Sequence, residues 1–148
     1  MSQALEVCGQ VRQPGRFDFA ALTRLPGQID DIATLVPGRS GGAVRLVSLL
    51  DAVHPDAEAT YITVESNDGS FSASVPLAAV VESAVVLYRL GGRALPEGQG
   101  GPFRFLITDA QACATGGADL CANVKFVGRI ALSTGPGRDT RPGEGKTS

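Results

Sequence analysis

The sequence predicts an α+β domain that is mainly β, built of layered, mostly antiparallel sheets with a few short helices. Three observations lead there. Several segments alternate apolar and polar residues with a period of two, the pattern of strands with one buried face. Glycine at 19 and proline at 9 residues, with no tryptophan, imply many turns between short elements. A hydrophobic fraction of 43% over 148 residues suffices for one sizeable core, and the length is too short for two ordinary domains. The expected organisation is one domain over residues 1–133 and a disordered tail over 134–148, where glycine, proline and charge replace apolar residues.

Element by element, ALEVCGQVR places Leu5, Val7, Gly9 and Val11 on one face and Glu6, Cys8, Gln10 and Arg12 on the other, a strand. Pro14-Gly15 turns the chain, and Asp18 caps a short helix, FAALTRL, that ends at Pro26-Gly27. QIDDIATLV reads as a strand interrupted by Asp30 and Asp31, which disfavour central pairing. PGRSGGAV is too rich in glycine for regular structure. Leu46, Leu49, Leu50 and Val53 then recur at helical spacing until His54-Pro55 stops the helix. TYITVES and SFSASVP alternate on either side of Asp68-Gly69, a hairpin with the chemistry of a two-residue turn. LAAVVES is a brief helix behind Pro76, AVVLYRL a buried strand, and FRFLI and VKFVGRIAL the closing strands around a loop at 109–123.

Thirteen basic residues against fifteen acidic ones, with neither sign clustered, exclude the electrostatic footprint of a nucleic-acid binder. No apolar run has signal-peptide or membrane-spanning character, so a cytoplasmic location and no membrane partner are expected. Cys8, Cys113 and Cys121 are too few and odd in number for a disulfide framework.

The order of phrases adds a resemblance. LEVCGQVRQPGRFDFAAL, VRLVSLLDAV, YITVESNDGSFSASVPL, VVLYRLGGRALPEGQGGPFRFLI and NVKFVGRIAL follow one another over residues 5 to 132. Together they resemble the oxidoreductase molybdopterin-binding domain of the sulfite oxidase family. The resemblance implies layered, mainly antiparallel sheets with a pterin cofactor at the loop ends. It also implies, in active members, a cysteine between the first helix and the paired-leucine helix whose thiolate binds molybdenum. Here that interval, QIDDIATLVPGRSGGAVRL, has no Cys, His or Met. Ser40, Asp30 and Asp31 are not equivalent ligands for a soft metal centre. The expectation is therefore a degenerate site without molybdenum chemistry: no cofactor, or a molybdopterin without its usual metal ligand.

The resemblance places Arg104 and Lys125 where positive charge faces the cofactor's phosphate, although charged strand residues are also commonly solvated. Arg39 and Ser40, in a glycine loop whose N–H groups could form an anion nest, and Asn123 beside Lys125 complete the candidate set. No catalytic residue is assigned. No metal ligand is assigned either, Cys121 being the alternative if the last loop covers the site. Cys113 and Cys121, separated by seven residues, read as free thiols or a reversible disulfide, and Cys8 as a packing residue. His54 lacks a nucleophile pattern and reads as a helix end, and Asp68 as turn chemistry. Three functions follow: a degenerate domain binding a pterin or other anionic small molecule, an active molybdopterin-dependent oxidoreductase, or a protein-interaction module using exposed sheet edges, its protein partner unknown.

Overall fold

The alternation seen in ALEVCG builds strand β1, Ala4–Gly9, with Leu5 and Val7 fully buried and Glu6 exposed. The computed structural model describes residues 4–34, 40–107 and 124–137. β1 pairs antiparallel with β2, Gly15–Asp18, through the Pro14-Gly15 turn. Asp18 then caps α1, Phe19–Thr23, its Oδ1 accepting from the Ala21 N–H at 2.8 Å. This satisfies one of the donors a helix start leaves open, as the sequence implies.

The Asp-containing segment departs from a continuous strand. β3 is only Gln28–Ile29, after which Asp31 accepts from the Ala33 N–H at 3.0 Å and starts a 3-10 turn, Ile32–Thr34. Local side-chain bonding of this kind competes with the sheet ladder. A second departure is β4, Gly42–Arg45, a strand inside a stretch read as loop running into helix. Its Val44 is as buried as the helix leucines, so apolar periodicity alone does not separate the two. α2, Leu46–Val53, buries Leu46, Leu49, Leu50 and Val53 and ends on His54 at φ 55°, whose N–H reaches the Leu50 carbonyl at 2.9 Å. His54 is thus a helix end, and Pro55 follows it.

The hairpin is present as β5, Tyr61–Ser66, and β6, Ser72–Pro76, but its turn has four residues rather than two. The Ser66 N–H donates to the Phe71 carbonyl at 2.9 Å, and the Gly69 N–H closes onto the Ser66 carbonyl. Asp68 Oδ1 accepts from Ser66 Oγ, the Ser70 N–H and Ser70 Oγ, at 2.8, 2.9 and 2.7 Å. These side-chain bonds favour the wider loop. The remaining elements are α3, Leu77–Val80; β7, Ala84–Leu90; β8, Arg93–Ala94; a 3-10 turn, Glu97–Gln99; β9, Arg104–Ile107; and β10, Val127–Ser133.

Two sheets result. One runs β2-β1-β10-β5-β6, all antiparallel except the parallel pair β1–β10. The other runs β3-β4-β7-β8, with β9 also on β7. One core draws on both sheets and α2, joining Leu5, Val7, Ile62, Val64, Ile130 and Leu132 with Val86, Tyr88 and Phe105. Alternate residues of β7, Val85 and Leu87, face a second cluster with Ile29, Ile32, Ala43, Leu95 and Leu106. β7 is therefore buried on both faces, as its near-continuous apolar run implies. Full burial of each such side chain contributes roughly 1.5–3 kcal/mol. After β10, Thr134 Oγ1 donates to Gln10 Oε1 at 2.7 Å and the Gly137 N–H to Ser74 Oγ at 2.8 Å, so these first residues of the polar tail lie along the sheet. Residues 138–148 fall outside the described set.

Candidate functional site

Arg104 opens β9 opposite Leu87 of β7. Directly opposed residues in an antiparallel pair share a face, so Arg104 lies on the side of the second apolar cluster, beside Leu87 and Leu106. It is 8% exposed, an unusual place for a guanidinium. Lys125 is exposed and follows Val124, which bridges to Phe105 with N–H···O distances of 2.9 and 3.0 Å in the two directions.

The stems of both side chains meet at one glycine. A Cβ on Gly100 would stand 3.0 Å from Arg104 Cδ, 3.1 Å from Lys125 Cγ and 3.3 Å from Arg104 Nη1. Gly100 also has φ 92°, a backbone state that disfavours any larger residue. Its carbonyl accepts from the Phe126 N–H at 2.8 Å, and the Phe103 carbonyl from the Val127 N–H at 2.8 Å, tying the turn to the start of β10. Arg104 and Lys125, far apart in sequence, thus form one corner with both stems against Gly100. At Gly101 a Cβ would overlap the Leu95 carbonyl oxygen, so the second glycine is needed as well.

The other candidates do not join this corner. Ser40 is exposed at the entrance to β4, and β7 stands between β4 and Arg104. Arg39, Asn123, Cys113 and Cys121 lie outside the described residues. Asp30 is paired with Arg89 at 3.4 Å, and Arg89 Nε donates to Tyr88 Oη at 3.2 Å. Cys8 is half-buried on β1, its sulfur accepting from Arg129 Nε at 3.2 Å, so it is more than a packing residue. That bond, and Glu65 nearby, hold Arg129 above its ordinary value. Among the described residues no group of three or more His, Cys, Asp or Glu is placed to hold a metal ion.

Beyond Gly100 the same turn borders a cavity of about 700 Å³. It is lined by the rings of Phe19, Tyr88, Phe103 and Phe126, with Asp68 and Glu97 among the lining residues. Tyr88 is fixed by its hydroxyl, which donates to Gln28 Oε1 at 2.6 Å, and by an edge contact with Phe19 at 5.5 Å. Phe126 has φ 56°, a left-handed backbone that costs a phenylalanine about 1–3 kcal/mol. Asp68 is held down to about 2, first by the backbone N–H of Ser70 and then by the Ser70 and Ser66 hydroxyls, so it is ionised at neutral pH. Sequence reading missed this cavity because its four rings come from four separate stretches of chain.

Two sheets sharing a core, short helices at their ends and a glycine turn bordering a cationic corner define an α+β domain with the sulfite-oxidase-type molybdopterin-binding fold. A family model described as the oxidoreductase molybdopterin binding domain matches residues 41–139, more than half of the sequence, and the chain belongs to that family. The crystal structure of the sulfane dehydrogenase SoxCD from Paracoccus pantotrophus is similar in fold, with a TM-score of 0.63 at 20% identity. The match covers 90% of this chain and 39% of that one, so this chain spans well under half the length of its structural relative. No curated protein matches the chain. No helix among the described residues is long and apolar enough to cross a membrane.

The residues can be tested against the family's cofactor in two parts. The Arg104–Lys125 corner, with a space that a Cβ would fill, suits the phosphate of a pterin: two cations and a glycine backbone are a common anion arrangement. For the metal, no group of three or more His, Cys, Asp or Glu is gathered among the described residues. Cys8 is the one described cysteine, and it is on the other sheet, bonded to Arg129.

Proposed function

We propose that this domain binds a phosphate-bearing small molecule of the pterin class at the Arg104–Lys125 corner and does not perform molybdenum redox chemistry. The observation behind this reading is the convergence of the two cations on Gly100. In active members the resemblance implies a thiolate-held molybdenum that supplies redox chemistry. In this chain the interval that would provide the thiolate has no Cys, His or Met.

The chain's own contribution is binding and orientation. Arg104 is held by β9 and packed beside Leu87 and Leu106, so its charge is preorganised and poorly screened. Lys125 is exposed and supplies the outer, mobile charge that closes on the anion. Gly100, with no side chain, lets both stems pack against the turn. A phosphate held this way would direct the rest of the ligand outward along the loop ends.

Protein produced in a host that makes the cofactor should carry pterin fluorescence without stoichiometric molybdenum. Lys125→Ala should lower pterin retention by about tenfold, in keeping with loss of one charge-assisted contact. Near-stoichiometric molybdenum, lost on Cys121→Ser, would establish the oxidoreductase reading instead. Pterin content unchanged in both Lys125→Ala and Gly100→Ala would remove the corner from the site.

A further inference from the structure

The cavity bordered by the same glycine turn has a lining whose chemistry is opposite to that of the corner. Four of the chain's eight phenylalanines and tyrosines line it, contributed by α1, β7 and the residues just before β9 and β10. Tyr88 and Phe103 are nearly fully buried, and Phe19 and Phe126 are half-buried, so the first two form a floor and the others reach the opening. Leu95 and Pro102 add apolar surface. Among the described lining residues the charges are Asp68 and Glu97, both exposed and both acidic, with no Lys, Arg or His. A phosphate would meet repulsion here. A neutral apolar ligand would leave the carboxylates unused.

Two further observations point to an occupant. The rings already accept a cation on one side, since the Arg89 guanidinium carbon lies 5.5 Å from the Tyr88 ring centroid. Asp68 is exposed, and its Oδ1 is fixed by Ser66 Oγ, the Ser70 N–H and Ser70 Oγ, so the carboxylate is held in place at the cavity.

We propose that this cavity binds a small organic cation of the alkylammonium class, its apolar substituents against the four rings and its charge toward Asp68 and Glu97. Aromatic rings attract such a charge through their electron-rich faces, and the attraction grows as the cation is desolvated. The volume, about 700 Å³, lies within the range of small-molecule sites. Neither Arg104, Lys125 nor Gly100 lines the cavity, so a ligand at the corner and one in the cavity are read out separately.

The test uses the full chain with choline and its uncharged carbon isostere, 3,3-dimethylbutanol, titrated by NMR. Choline should shift resonances of Phe19, Phe126 and Asn67 and bind about tenfold more tightly than the isostere. Phe126→Gly removes a ring at a position where glycine is unstrained, so the fold is kept, and choline affinity should fall at least about fivefold. Glu97→Gln should weaken choline by about twofold and leave the isostere unchanged. Equal binding of the two probes, choline affinity unchanged in a folded Phe126→Gly, or no saturable shift by about 10 mM choline would each overturn the proposal.

Discussion

The two sides of the Gly100–Phe103 turn share a backbone and differ in everything a ligand would sense. At Gly100 the side chains of Arg104 and Lys125 pack close; at Gly101, Pro102 and Phe103 the turn borders a cavity lined by four aromatic residues and two carboxylates. A single turn can separate opposite electrostatic environments because glycine carries the close approach while the residues after it, Pro102 and Phe103, turn their side chains to the cavity. The contrast teaches that the fold's family resemblance bears on one of these surfaces and is silent on the other.

The largest effect expected is loss of both surfaces together. Gly101→Ala would drive a Cβ into the Leu95 carbonyl oxygen, and should destabilise the domain by more than about 4 kcal/mol in urea denaturation. A variant within about 1 kcal/mol of the parent would mean the turn is not the shared support described here.

Gly100→Ala separates the two sides. Its positive φ and the 3.0 Å approach to Arg104 should cost about 2 kcal/mol and weaken phosphate-ligand binding, while choline titration stays as in the parent. Equal weakening of both ligands would show one site, not two. Tyr88→Phe comes next. It removes the hydroxyl that donates to Gln28 and accepts from Arg89, and should lower stability by about 1 kcal/mol with the anion corner unaffected.

The smallest effect is a pH dependence at the hairpin. The folded Asp68 carboxyl is lowered from 3.8 to about 2 by Ser70 and Ser66, so its contribution to stability is present above pH 3.8 and is lost as pH falls toward 2. Asp68→Asn should flatten the stability profile over that window and lower stability slightly near neutrality, where the ionised carboxylate contributes. An unaltered acid limb in the variant would place the titration elsewhere.

How much of this was legible in the sequence varies with how local the cause is. Asp18 as a cap, His54-Pro55 as a helix end and Asp68-Gly69 as a turn were readable because each acts on residues within a few positions. The length of the hairpin loop was not, since it depends on which of Asn67 to Ser70 the Asp68 carboxylate engages. β4 was hidden because GAVR runs without a break into an apolar helix and pairs with β7, some forty positions later in the chain. Arg104 and Lys125 were nominated by resemblance, and their meeting at Gly100 is a tertiary fact. Phe126's backbone angle and the gathering of Phe19, Tyr88, Phe103 and Phe126 leave no periodic trace at all.

The parallel pairing of β1 with β10 has a consequence for how the chain reaches this state. β10 sits between β1 and β5, with Glu6 opposite Arg129 and Val64 opposite Ile130. During synthesis the early hairpins, β1–β2 and β5–β6, emerge without the strand that joins them into one sheet. Closing so large a loop has an entropic cost that local contacts do not offset, so sheet completion should be the slow, late step of folding. Until β10 arrives, two strand edges stay open, and a ribosome-bound intermediate is at its most exposed to wrong pairing.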